Sequence, residues 1–274
     1  MPADKDNIDE QTPDWGQTLL AFTIVDSLSP VSLHQESLPT EKHDRIQSDK
    51  YKVRVASSKE TQRSAVFLVE KMYRWRGYIK DEETIKLAPK EEASFITLLV
   101  FGKDNRPVGT ATINFGDPQG MIQADDLYHE ELETMRREGK TIMELTKFAM
   151  ERHGGGSMRI IASLMNMIYI YGKIYGYDHT VIEVNPRHVA FYQSKFGFRQ
   201  IGPERTCQRV QAPAILLVLD WRYIGQQVRK FGGRKNDEAA GDNLYRYFLS
   251  ERDEAGLIQR LRDDSDEGKA LKPA

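Results

Sequence analysis
The sequence predicts an α/β (α+β) domain: a mixed, twisted sheet flanked by helices, with mobile N- and C-terminal tails. Three observations predict it. Residues 141–198 run as strand, glycine-rich loop, long apolar helix, strand and short helix, which implies a right-handed crossover between two parallel strands. Ahead of them, residues 94–101 and 107–115 are two apolar runs joined by 102–106, the pattern of a β-hairpin. Toward both ends of the chain the composition turns polar. The chain divides into an N-terminal arm over 1–48, a folded domain over 49–225 and a charged tail over 226–274.

The first 48 residues are polar, with scattered Pro, Ser and Asp, and the apolar patch 19–25 is expected to dock on the core. A short strand is expected at 51–55. Ser57 then caps a helix with Glu60 three residues on, a capping box. Val66, Val69 and Tyr73 face one way in that helix, Ala65, Leu68, Met72 and Trp75 widen the face, and Gly77 follows the basic end RWRGY. After the hairpin and the loop 116–124, a helix over 125–138 opens with acids, closes with Arg136 and Arg137 and stops at Gly139, which suits the helix dipole. Leu127, Leu132 and Met135 give it an apolar side.

The central stretch begins with a strand at 141–150. The loop 152–157 reads R-H-G-G-G-S, and a helix follows over 158–175. Ile161, Leu164, Met165, Ile168 and Tyr171 recur at helical spacing, and Ile160, Met167 and Ile174 add a second apolar row. Arg159, Ser163, Asn166 and Lys173 are left as a narrow polar stripe. Ser157 suits the N-cap and Gly176 the C′ position. The next strand, 180–184, ends at Asn185-Pro186, a cap with proline at the first helical position. The short helix beyond carries Val189, Tyr192 and Phe196 on one side and stops at Gly197. Strands at 205–210 and 214–220 are expected around Gln211-Ala-Pro213. In the tail, the groups Leu244, Tyr245, Phe248, Leu249 and Leu257, Ile258, Leu261 suggest two marginal helices.

Composition excludes several classes. The 274 residues carry a formal charge of −2, so nothing global points to nucleic acid. A single cysteine, Cys207, rules out an intrachain disulfide and a cysteine-rich metal site, and suits a cytoplasmic location. It reads as a small strand residue or, less simply, a nucleophilic thiol. The six histidines show no ligand spacing, so no metal is expected. No apolar run approaches a membrane span, and neither a transmembrane helix nor a signal peptide is expected.

Two features carry chemistry. A glycine-rich turn feeding a helix start offers free N–H groups and the positive dipole end, which suits a phosphate or pyrophosphate. Arg152 and Arg159 flank it. Glu144 is the one acid in an otherwise apolar strand, where desolvation raises its proton affinity. It is either a base or acceptor-binding group, or half of a structural ion pair. Lys147, three residues on, points to the opposite face of a regular strand; a bulge, common near active sites, brings the two together.

The strand–loop–helix pattern with R-H-G-G-G-S at 152–157 resembles the GCN5-related N-acetyltransferase (GNAT) superfamily, in which such a loop binds the pyrophosphate of acyl-CoA. The phrases GTATI, LYHEELETMRREGKTIMELTKFAM, VNPRHVAFYQSKFGF and QAPAILLVLD, in that order over about 51–223, more closely resemble FeeM-type N-acyl amino acid synthases, which are related to the acyl-homoserine-lactone (autoinducer) synthases. The resemblance implies an N-acyltransferase that moves a long acyl chain from acyl carrier protein or acyl-CoA to the amine of an amino acid. It implies an acyl-phosphopantetheine donor held by Phe148, Met150, Arg152, Gly154, Gly155, Gly156, Ser157, Arg159 and Asn185, the last equally readable as a helix cap. Catalytic roles fall on Glu144, Lys147 (arginine in the autoinducer synthases) and Tyr192. Tyr192 is then the acid that protonates the leaving thiolate, or else a core tyrosine. Arg187 and His188 are expected to contact the donor arm, unless His188 is simply a surface histidine. Arg74, Trp75 and Arg76 line the acceptor site in such folds, unless the arginines are simply a solvated helix end. Two other functions stay open: an acetyl-CoA-dependent acetyltransferase acting on a small amine or protein lysine, and a non-catalytic acyl or amino-acid sensor. Residues 141–230 hold 12 Lys plus Arg against 6 Asp plus Glu, which suits an acidic carrier protein as partner, or else is a solvated basic face balanced by acidic tails.

Overall fold
The computed structural model describes residues 18–25, 48–78, 94–102, 105–117, 119–151 and 157–266. Among the described residues nine strands form the sheet: β1 (Thr18–Val25), β2 (Ser48–Val55), β3 (Phe95–Phe101), β4 (Pro107–Asn114), β5 (Ile142–Met150), β6 (His179–Val184), β7 (Arg199–Gln200), β8 (Arg205–Cys207) and β9 (Ala212–Asp220). Their order is β1-β2-β3-β4-β5-β6-β9-β7, with β8 paired to β9. All pairs are antiparallel except β5 and β6, which run parallel. The mixed sheet flanked by helices is therefore the architecture the sequence predicts.

Helix α3 (Ser157–Tyr175) makes the crossover between the parallel strands and packs on one face of the sheet. Its expected polar stripe is mostly absent: Ser163 and Asn166 are buried. Ser163 turns its hydroxyl back to the Arg159 carbonyl, and the Asn166 side-chain oxygen accepts from the Leu249 N–H at 2.9 Å. The C-terminal segment supplies this cover. Helix α5 (Trp221–Phe231) places Trp221, Ile224, Val228 and Phe231 in the main core, and Leu244, Tyr245, Phe248, Leu257 and Leu261 join it. The expected tail boundary at 225/226 thus falls inside α5. Of the two marginal helices, the first is a 3₁₀ turn, Tyr245–Tyr247, and the second is α6 (Glu251–Asp266). At the other end the apolar patch pairs as β1, with Leu19, Leu20 and Phe22 against the core.

The opposite face is covered by α1 (Lys59–Trp75) and α2 (Asp125–Arg137). The cap of α1 sits one residue later than expected. The Ser58 hydroxyl accepts from the Thr61 N–H, and the Thr61 hydroxyl accepts from the Ser58 N–H, a reciprocal box made by two short hydroxyl side chains in place of Ser57 and Glu60. The turn between β8 and β9 also moves. Residues 208–211 make it, Gln211 has φ 47°, and Ala212 and Pro213 already belong to β9, because pairing extends to Cys207 opposite Ala212. Asn185 caps the 3₁₀ turn Pro186–His188, which precedes α4 (Val189–Phe196).

Candidate active site
The parallel pairing of β5 and β6 stops at Glu144 opposite Val181, although β5 continues to Met150 and β6 to Val184. The strands splay there because β5 changes course. Against β4, Thr112 pairs with Thr146 and Thr110 with Ala149, so β5 carries one extra residue across that step. Lys147 lies in this bulge with φ 50°, a left-handed conformation that costs energy for any residue but glycine. The bulge reverses the strand's parity. Met143 and Leu145 before it, and Phe148 and Met150 after it, all pack toward the α3 side. Ile142 and Ala149 lie on the other side, under α2 and α1.

On the α1/α2 side a cavity of about 710 Å³ opens where the strands part. Glu144, Lys147 and Glu183 line it from the sheet. Tyr73 and Tyr78 line it from the end of α1, Gln123 from the approach to α2, and residues 207–214 from the β8–β9 hairpin. Glu144 and Lys147 are brought together here, three residues apart on one strand.

Glu144 is 1% exposed. One of its oxygens, Oε2, accepts from Asn114 Nδ2 at 3.1 Å, directly across from it on β4, and from the Gln123 N–H at 2.9 Å. Burial pushes its carboxyl up to about 8; the nearby Glu183 charge adds to the rise, and the bonds from Asn114 and Gln123 oppose it. Burial also lowers the Lys147 ammonium below the usual lysine range, against the pull of Glu144. A carboxyl raised to about 8 suits proton transfer at cellular pH.

Sequence reasoning missed the cation beside them. Arg209, on the β8–β9 turn, donates to the Gln123 carbonyl at 3.0 Å, to Asp126 at 2.9 Å and to Glu183 Oε2. It ties β6, the approach to α2 and the hairpin together around the cavity. Glu183 had a visible signal, since it too is an acid in an apolar strand. Arg209 had none, because its partners lie 26 to 86 residues away.

The other expected residues fall in different places. Arg152, Gly154, Gly155 and Gly156 lie outside the described residues. Ser157 is the first residue of α3, and Arg159 is stacked between the rings of Phe22 and Tyr247. Asn185 lines the cavity; its oxygen accepts from the Arg187 N–H, and its amide donates to the Pro213 carbonyl. Arg74 reaches Glu70, and Arg76 lies over the exposed ring of Trp75; none of the three lines the cavity, whereas their neighbours Tyr73 and Tyr78 do. Tyr192 is half-buried, edge-on to Phe191 and Phe198, and does not line the cavity either. Burial raises the Tyr192 hydroxyl, as it raises Tyr73, to about 12 in the latter case. Arg187 donates to the Tyr78 hydroxyl and stacks on its ring. Burial and the charges of Arg187 and Arg76 lower the pKa of His188. Cys207 is buried in the cavity wall. Among the described residues, no cluster of His, Cys, Asp and Glu could hold a metal ion, and no helix is long and apolar enough to cross a membrane.

A family model described as N-acyl amino acid synthase FeeM matches residues 64–220. Among solved structures, FeeM, an N-acyl amino acid synthase from uncultured soil microbes, is 31% identical; the match covers 63% of this chain and 93% of that one, with a TM-score of 0.56. The AHL synthase LasI is 15% identical, over 62% of this chain and 90% of its own, with a TM-score of 0.46. An N-acetyltransferase from Staphylococcus aureus Mu50 is 11% identical, over 63% of this chain and 98% of its own, with a TM-score of 0.40. No match was found among curated proteins.

Proposed function
Since the chain belongs to the FeeM N-acyl amino acid synthase family and is an acyltransferase, we propose that it joins a long acyl chain, carried on phosphopantetheine, to the α-amine of an amino acid. The observation that supports this most directly is Glu144. It is a buried carboxylate with raised proton affinity, fixed by two hydrogen bonds at the point where β5 and β6 part and facing a cavity large enough for an amino acid.

In this reading the acceptor enters as an ammonium and gives a proton to Glu144. The neutral nitrogen attacks the thioester carbonyl. The C–N bond forms, the C–S bond breaks, and the nitrogen loses its second proton as the amide forms. That second proton passes to the leaving thiolate, relayed by Tyr73, Tyr192 or water. Lys147 supplies the cation for the acceptor's carboxylate, because Arg209 is already engaged by Glu183, Asp126 and the Gln123 carbonyl. The donor arm runs along the end of β5 and the start of α3, and acyl carrier protein is the favoured carrier on charge.

The test is direct. Purified protein is supplied with acyl-carrier and acyl-CoA donors of matched chain length, each with the twenty common amino acids and with amines lacking the carboxylate. Products are identified by mass spectrometry. N-acyl amino acids from the wild type, absent with Glu144→Gln, are the expected result. Acylation of the simple amines alone, or transfer only of acetyl groups from acetyl-CoA, would replace this reading with an ordinary acetyltransferase. No product with any acceptor would leave a binding protein.

A further inference from the structure
We propose that Glu183 is a second carboxylate of the acceptor site, holding the α-ammonium of the amino acid beside Glu144. This rests on the acyltransferase reading above, and adds a positioning residue to it.

Glu183 stands on β6, next to the strand that carries Glu144, and both side chains line the same cavity. Its two oxygens are in different circumstances. Oε2 is taken by Arg209. Oε1 is enclosed and, among the described residues, has no hydrogen-bond partner. An enclosed carboxylate oxygen without a donor is costly, and it belongs to a side chain that lines the cavity an ammonium is expected to enter. A ligand N–H supplies what the protein does not.

The two carboxylates have different surroundings. Glu144 receives neutral donors, from Asn114 and the Gln123 N–H. Glu183 has a guanidinium fixed on its other oxygen, and Arg209 is itself held by Asp126 and the Gln123 carbonyl. The division of labour follows. Glu144 accepts the proton that the ammonium must lose; Glu183, whose carboxyl burial raises and the Arg209 guanidinium pulls back down, is the anion that orients the nitrogen through the transfer. The charged and titratable groups around the pair are Lys147 on β5, Asp126 and Tyr128 in α2, Tyr73 and Tyr78 at the end of α1, and Cys207 and Arg209 on the β8–β9 hairpin.

The experiment compares Glu183→Gln and Glu183→Asp with the wild type, using the amino acid that the wild type acylates fastest. Glu183→Gln keeps the shape and an oxygen for Arg209 but removes the charge. It should raise the KM for the amino acid about ten- to hundredfold, the scale of one charge-assisted hydrogen bond, with kcat and the donor KM changed little. It should also shift the acid limb of kcat/KM to lower pH, because the neighbouring negative charge that helps keep Glu144 protonated is gone. Glu183→Asp keeps the charge and withdraws the oxygen, so the KM should rise while the acid limb stays in place. Carboxyl NMR titration of Glu144 without substrate should show the same difference between the two variants. Unchanged amino-acid KM and an unmoved Glu144 titration in Glu183→Gln overturn the assignment and leave the acyltransferase reading standing. A wild type that acylates no amino acid overturns both.

Discussion
Glu144 and Lys147 share one cavity because the chain gains a residue between Thr146 and Ala149 relative to β4. Without that bulge the two would stand on opposite faces of β5. The extra residue is Lys147 itself, held at φ 50°. The same distortion ends the pairing with β6 just past Glu144 and makes room for the cavity. A strained backbone and the meeting of a buried carboxyl with a lysine are therefore products of a single register shift, and each can be tested.

Glu144→Gln should lower turnover by roughly 10²–10⁴, the usual range for a positioned acid or base, while the protein stays folded. In the wild type, kcat/KM should rise with pH through about 8, since the base works only when ionised and burial holds its proton to that pH. An unchanged rate at saturating amino acid would reduce Glu144 to a structural role.

The same substitution should stabilise the fold, and more so at higher pH. The Glu144 carboxyl is raised above its ordinary value of 4.5 in the folded state, so its favourable contribution is complete below about pH 4.5. That contribution is lost as pH rises toward 8, where the fold must carry a buried charge. Glutamine does not titrate. The Tm difference between variant and wild type should therefore widen from pH 4.5 to about 8, with each kcal/mol worth about 2–4 °C in a chain of this size. A difference that is flat with pH would mean the carboxyl is not raised.

Tyr73→Phe should cost more turnover than Tyr192→Phe if the thiolate is protonated from the cavity. Tyr73 lines the cavity and Tyr192 does not. Single-turnover rates on both variants decide the matter. Equal and small losses would assign the proton to water.

Activity with an acyl carrier protein should fall steeply with added salt, because docking of surface charges is screened over about 8 Å at physiological ionic strength. Activity with acyl-CoA of the same chain length should be lower and less sensitive. Arg152→Glu should raise the KM for the carrier-borne donor more than that for the amino acid. If both donors are used equally at every salt concentration, the carrier protein loses its claim as the natural donor.

The sequence by itself determined the path of the chain through the central strands and helix, and it singled out Glu144 as the candidate base. Alternating and helical apolar periods mark β5, α3 and β6 because burial on one face is a local, repeating demand on residue type. Glu144 stood out as an acid where that demand is broken. The sequence also determined the family, through an ordered set of phrases that no single element supplies. Tertiary structure alone decided the rest. It put Lys147 on the side of Glu144, because register against β4 is a property of two strands and not of one. It covered Ser163 and Asn166 with the C-terminal segment, and laid the Trp221 ring on Gly172, where a Cβ would stand 1.3 Å from it. It also drew Arg209 from its turn to Glu183, Asp126 and the Gln123 carbonyl. These are pairings across many residues of chain, fixed by the cost of leaving charge and polar groups unpartnered once they are enclosed, and local periodicity carries no record of which distant group will arrive to meet them.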